Sequence, residues 1–286
     1  MAPRAEVLLG HLRVTHPFPS LLDGLVAGVA ALAAGGEPGT AIRLGLSMIL
    51  LQASVGALND VIDAPSDAGR KPGKPIPAGL VSPTAAKGIA AAAALLGVVL
   101  AVPSGAATVA LAVGLLALGY AYDLWFKGTA WSWLPFALAI PLFPTYGWLG
   151  AAGGLPPIWA VLLPTAVLAG TALAVANATV DVERDRAAGL QSVATRLGRQ
   201  RSRRLNLGLL GAVWVLATAT LVLAAGLLPW GLAALGGGIA AAAGWVALGA
   251  EDPHTRERGW EAQAVGVALL AAGWLAAIVT GGVARP

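Results

Sequence analysis

Residues 41–67 read AIRLGLSMILLQASVGALNDVIDAPSD, and the character of the whole chain follows from that stretch. Up to Leu58 it is an apolar run with a single charge, Arg43, and it approaches the roughly 20 residues a helix needs to cross the hydrocarbon of a bilayer. Its end is acidic. At about 100° per residue, Asn59, Asp60, Asp63 and Asp67 fall within about a 100° arc of one helix face. A strand is excluded, because no ten-residue alternation of polar and apolar residues appears and lipid tolerates no unpaired backbone.

The rest of the chain repeats the pattern. Runs at roughly 20–36, 41–62, 83–102, 105–122, 131–151, 157–180, 206–226, 228–249 and 261–282 predict an all-α integral membrane protein of about nine transmembrane helices. Residues 1–286 are expected to form one domain. Met1 to Thr15 are mixed and polar, so no cleavable leader is expected. Of 286 residues, 57% are hydrophobic and only 11% charged, against roughly 25% charged in a soluble domain. Cysteine is absent, which excludes thiol catalysis and disulfides. The 38 glycines suit close helix contact in lipid. The sequence pI near 9.9 is no sign of nucleic acid, because the basic residues lie in short segments between apolar runs.

Charge orients the bundle. With nine spans, the N-terminus and the connections after every even-numbered span share one side. That side carries all of the 18 lysines and arginines except Arg43 and Arg285. The expectation is a multi-pass cell-membrane protein with this side cytoplasmic. The acids Asp60, Asp63, Asp67, Asp123, Asp181, Glu183 and Asp185 gather there too, and carboxylates so crowded need cations.

A second column supplies the counterpart. In Asn177-Ala178-Thr179-Val180-Asp181-Val182-Glu183-Arg184-Asp185, the residues Asn177, Asp181 and Asp185 step by four along one expected helix face. Each column presents hard oxygen ligands of the kind Mg²⁺ takes together with waters and phosphate oxygens. Arg70, Lys71 and Lys74 follow the first column, Arg184 and Arg186 flank the second, and Tyr122, Asp123 and Lys127 lie in the connection after the fourth span. Acid beside base at the end of apolar helices fits a substrate with a diphosphate head and a greasy tail.

These blocks resemble the UbiA superfamily of intramembrane prenyltransferases. Asn59 to Asp67 is similar to its NDxxDxxxD signature, and Lys71 to Gly79 (KPGKPIPAG) to its RPxRPIPSG continuation, with lysine at both arginine positions. Tyr122 to Lys127 resembles its YxxxxK element, Asp181 to Asp185 its second DxxxD, and Gly189 to Ser192 its GxxS. The resemblance implies that Asn59, Asp60, Asp63, Asp67, Asp181 and Asp185 arrange Mg²⁺, with Asp60, Asp63, Asp181 and Asp185 central to catalysis. It implies that Lys71, Lys74 and Lys127 neutralise an isoprenyl diphosphate, beside Asn59, Tyr122 and Asn177, and that the helices enclose a lipid-facing chamber for the tail. Ionisation of the allylic diphosphate would then be followed by attack of a lipophilic acceptor. An aromatic quinone precursor is expected as acceptor. A non-aromatic acceptor such as a glyceryl phosphate and a cyclase that quenches the cation internally stay open. The lysines keep charge but lose arginine's bidentate phosphate geometry, and Pro65, without an N–H, is where the first column would end or kink.

Other residues have weaker claims. Asp23 lies in the first span, where an ionisable group is a functional candidate, here for orienting an acceptor hydroxyl. Trp125, Trp131, Trp133 and Tyr146 are placed to face a cation or to form an interfacial belt. His11, His16 and His254 are assigned no metal. The run Arg199, Arg201, Arg203, Arg204 suits anionic lipid headgroups. A transporter would place its charges near mid-membrane rather than at one interface.

Overall fold

The computed structural model describes residues 4–69, 71, 73–221 and 226–280, and every regular element among them is helical. In chain order these are α1 (Arg4–Arg13), α2 (Pro17–Ala33), α3 (Pro38–Asp67), α4 (Pro83–Ala101), α5 (Ala106–Ala121), α6 (Trp133–Ala152), α7 (Trp159–Val180), α8 (Val182–Ala187), α9 (Val193–Leu197), α10 (Arg199–Leu221), α11 (Leu227–Ala242) and α12 (Pro253–Val279). Among the described residues eight segments are each long and apolar enough to cross a membrane, and nine if the pair α1–α2, bent by 50°, is one span. Proline opens α2, α3, α4 and α12, where its missing N–H costs nothing. Ser82 and Asp252 cap α4 and α12 through Ala85 N and Thr255 N.

Two helices begin earlier than their apolar runs. α10 starts at Arg199 and α12 at Pro253, because the charged turns before each run go on making backbone hydrogen bonds outside the hydrocarbon. Hydropathy marks the lipid boundary, and hydrogen bonding marks the helix.

The helices pack as a ring. α2 lies against α3, α6 and α12; α3 against α4 and α5; then α5–α6, α6–α7, α7–α10, α10–α11 and α11–α12 follow in turn. One apolar cluster, with Leu44, Met48, Leu51, Leu115 and Phe143, fills the first half. The other, with Trp148, Trp159, Val213, Leu270 and Trp274, fills the second. Small residues set the spacing. A Cβ at Gly147 on α6 would collide with the Ala27 carbonyl of α2, and Gly236 and Gly266 face each other's carbonyls across α11 and α12. Buried Asn206 and Gln263 exchange hydrogen bonds of 3.0 and 2.8 Å between α10 and α12. α3, α5 and α7 all end on the same side, and there the acidic segments meet.

Candidate active site at the acidic helix ends

α3 runs unbroken through Pro65 to Asp67, so the first column stays on one helix and the proline does not end it. Asp60 is almost fully buried, at 3% exposure. Its Oδ1 accepts from His16 Nε2 at 2.9 Å and from Lys74 Nζ, while its Oδ2 is buried with no partner among the described residues. Asp63 Oδ2 receives Lys127 Nζ at 2.5 Å. Asn59 Nδ2 donates to Asp123 Oδ1 at 2.7 Å. Asp67 is buried near the end of the helix, within electrostatic reach of Asp63, Lys71, Lys74 and Lys127.

Local structure explains how the lysines arrive. Lys71 and Lys74 sit in the turns after α3, where Lys74 N donates to Lys71 O and Ala78 N to Lys74 O. Ile76, Leu80 and Val81 anchor this segment against Val14, and Arg13 donates to the Gly73 carbonyl at 2.7 Å. Lys127 follows a single π-helical turn, Tyr122–Phe126, closed by Lys127 N on Tyr122 O at 2.8 Å. Such wide turns often sit at functional sites because they re-aim side chains. Here the turn buries Asp123 at 5% exposure and carries Lys127 to Asp63. The next residue, Gly128, accepts Gln191 N at 2.7 Å, so the Tyr122–Lys127 element touches the Gly189–Ser192 element.

The second column differs from expectation. It is not one continuous helix: α7 ends at Val180, Asp181 has φ −108° and ψ 22°, and α8 starts at Val182. Asp185 N still bonds Asp181 O at 2.9 Å, which keeps the two carboxylates one turn apart. Buried Arg256 explains the break. Its Nε takes the last α7 carbonyl, Val180 O, at 2.9 Å, its Nη1 the carbonyls of Ala250 and Glu251, and its Nη2 Glu183 Oε2 at 2.6 Å. Asp181 receives Lys71 Nζ at 2.6 Å and Arg184 Nη1 at 3.0 Å. Burial opposes the charge on Lys71, but the hydrogen bond and charge of Asp181 outweigh it and hold the ammonium above the ordinary lysine range. Burial, and then the charge of Asp181, push the Asp185 carboxyl up. Asp185 also feels Lys71, Lys127 and Asp63, so the two columns face each other.

The other candidates lie as follows. Asp23 is half-buried on α2 and Asn177 half-buried near the end of α7, and neither makes a hydrogen bond or ion pair to any described residue. Tyr122 packs edge-on against Phe136 at 5.4 Å and lies within reach of Asp123, Asp63 and Asp185. Arg70 lies outside the described residues. Tyr146 is fully buried and bonded to Ser47 at 2.5 Å, and Trp125 and Trp131 are 71% and 59% exposed, so Trp125 and Trp131 fit an interfacial belt. One residue of the cluster, His16, was given no role by the sequence, and Asp123 was named there only as one of the crowded acids. His16 carried one available signal: it precedes Pro17 at the entrance of the first span. Among the described residues no three Asp, Glu or His side chains are gathered as a ready-made metal cage; lysines stand between the carboxylates instead.

Fold and site together define a polytopic helical membrane protein whose polar centre, at one end of the bundle, is a lattice of carboxylates and lysines. Residues 24–270 match the model of the UbiA prenyltransferase family, and the chain belongs to that family of prenyltransferases. It is 32% identical over 196 residues to the digeranylgeranylglyceryl phosphate synthase of Methanoregula boonei, covering 66% of this chain and 68% of that one. A protein of the same name from Korarchaeum cryptofilum is 32% identical over 171 residues, covering 58% of this chain and 57% of its own length. The same fold is seen in a structure described as giving insights into digeranylgeranylglyceryl phosphate synthase in membranes, with TM-score 0.68, 18% identity, and coverage of 96% of this chain and 99% of that one. It is seen again in a UbiA homolog from Archaeoglobus fulgidus bound to GPP and Mg²⁺, with TM-score 0.65, 16% identity, and coverage of 93% and 99%.

Proposed function

We propose that the protein transfers the isoprenyl group of a polyprenyl diphosphate to a hydroxyl of a glyceryl phosphate lipid, with Mg²⁺ as counter-ion to the diphosphate. The observation that carries the reaction class is the seating of three lysines on both acidic columns: Lys74 on Asp60, Lys127 on Asp63 and Lys71 on Asp181. Cations so held are partly desolvated and all lie within electrostatic reach of Asp67, and they can turn from carboxylate to phosphate oxygens when a diphosphate enters. The acceptor class rests on the two relatives at 32% identity, both named for a glyceryl phosphate product, and these favour the glyceryl phosphate alternative over the aromatic acceptor expected from the family resemblance.

The residues present fit Mg²⁺. They are hard oxygen donors, and the buried Oδ2 atoms of Asp60 and Asp123 have no partner among the described residues. The lack of a prebuilt cage suits an ion that binds through one or two carboxylates and the phosphates of its substrate. Asn59, Asp60, Asp63 and Asp67 on one side, and Asp181 and Asp185 on the other, would hold it; bound there, Mg²⁺ neutralises charge on the diphosphate. The chain does the rest. His16 and Asn59 hold Asp60 and Asp123 in place, the lysines stabilise the leaving diphosphate, and the apolar helices keep water from the allylic cation. The carbon–oxygen bond to the diphosphate breaks with its electron pair on that oxygen. The acceptor hydroxyl forms the new ether bond and loses its proton to the diphosphate side of the site. Nearly all the basic residues share this side of the bundle, which supports a cytoplasmic site.

The test uses purified protein, geranylgeranyl diphosphate, and either a geranylgeranylglyceryl phosphate or a hydroxybenzoate acceptor, with Mg²⁺ or EDTA, beside Asp63→Ala and Asp181→Ala. Metal-dependent ether formation, lost in both variants, is expected. Transfer to hydroxybenzoate alone would return the acceptor to the aromatic class. Diphosphate release with a cyclic hydrocarbon and no adduct would make the protein a cyclase.

A further inference from the structure

Next to the second acidic column, an open cleft of roughly 550 Å³ lies between α8 and the start of α10, lined by Glu183, Arg186, Leu197, Gly198, Arg199 and Arg201 among others. Its charge is unbalanced. Glu183 is taken up by buried Arg256 at 2.6 Å and by Arg199 at 3.5 Å. Arg186 has no carboxylate partner among the described residues and gives one N–H to the Thr195 carbonyl at 2.8 Å. Arg201 is exposed and makes no hydrogen bond or ion pair to any described residue. Two guanidinium groups from two helices therefore face one space, where the first N–H groups of a 23-residue helix also begin.

The surface below the cleft is apolar. Arg201, Leu205, Gly208, Ala212, Val215 and Ala219 follow one another on a single face of α10, and all are exposed. A Cβ at Gly208 would meet nothing within 4 Å, so the stripe is a shallow track rather than a packed seam. Nearby, Arg203 lies 5.0 Å over the ring of Trp245, itself 66% exposed, the arrangement of an interfacial anchor at headgroup depth. A soluble anion would use the cleft alone. A phospholipid would use the cleft for its phosphate and the track for an acyl chain.

We propose that this cleft binds the phosphate headgroup of an anionic membrane phospholipid, with one acyl chain along the exposed face of α10. The site does not depend on which acceptor the enzyme uses. Because Arg186 belongs to α8, the helix that also carries Asp185, a lipid held there braces one acidic element from outside the candidate active site.

The test is thermal unfolding of the detergent-purified full chain, titrated separately with phosphatidylglycerol, phosphatidylcholine and inorganic phosphate. The variants are Arg201→Gln, Arg186→Gln and, as a charge-matched control, Lys87→Gln, an exposed residue on α4 in the other half of the bundle. Phosphatidylglycerol is expected to raise the melting temperature saturably. Its apparent affinity should fall about fivefold for each arginine removed, the attraction one basic residue contributes at an anionic surface, and stay unchanged in Lys87→Gln. Arg201 has no partner to lose, so its variant keeps the test valid if Arg186→Gln folds poorly. Equal shifts from phosphatidylcholine, or an undiminished phosphatidylglycerol shift in Arg201→Gln, would overturn the proposal. A full shift from inorganic phosphate alone would do so too, making the cleft a soluble-anion site.

Discussion

Asp60 carries two donors on one carboxylate oxygen and none on the other, an asymmetry that a buried acid keeps only if something else is to occupy the free side. His16 holds it so at a cost. It is the only non-glycine residue with positive φ among those described, at φ 48° and ψ 66°, a conformation worth on the order of 1–3 kcal/mol of strain. Gly56 makes the close approach workable, since a Cβ there would lie 2.9 Å from His16 Cβ. We predict that His16→Ala stays folded but needs about 10–100-fold more Mg²⁺ for half-maximal transfer, as when a partner orienting a metal-ligating group is removed. Titrating activity with Mg²⁺ checks this, and an unchanged requirement would reduce His16 to a turn residue.

Elements bring the charged groups into range. The π-helical turn at Tyr122–Phe126 sets Lys127 opposite Asp63, and the break at Asp181 lets α8 turn while Asp181 and Asp185 stay one turn apart. The break is stabilised by Arg256, a fully buried guanidinium that donates to three carbonyls and a carboxylate. Removing it strands the last carbonyl of α7 inside the protein. Arg256→Gln is therefore expected to destabilise the fold by on the order of 3 kcal/mol, read as a lower denaturation midpoint in detergent. Transfer by the surviving folded fraction should also fall, because Asp181 loses its fixed place; full activity per folded molecule would mean that the break needs no such support.

For the molecule as a whole, orientation is the open consequence of the charge asymmetry. The chain has no cysteine, so single cysteines can be introduced against a silent background. Arg196 and Gly154 are both exposed and lie in connections expected on opposite sides. With a membrane-impermeant maleimide, Arg196→Cys should label in inverted vesicles and Gly154→Cys in right-side-out vesicles. The opposite pattern would put the acidic cluster outside the cell and remove the case for a cytoplasmic diphosphate donor.

Much of this was legible in the residues alone, for a physical reason. Whether a segment enters lipid depends on its own apolar length, and whether Asn59, Asp60, Asp63 and Asp67 share a face depends on helical pitch; both are local properties. The family motifs are local too, which is why they stand out between Asn59 and Ser192. Contacts between helices are not local. That His16 reaches across 44 positions to Asp60, that Lys71 pairs across 110 with Asp181, that Arg256 ends α7, and that Arg186 and Arg201 open on one cleft all follow from how the helices pack. The same holds for Pro65, whose missing hydrogen bond the long helix α3 tolerates, and for Asp181, where the chain breaks despite an unbroken four-residue spacing. Composition and pitch determined the membrane, the helices and the acidic columns; close packing in three dimensions decided which charges meet, because partners distant in sequence leave no periodic trace along the chain.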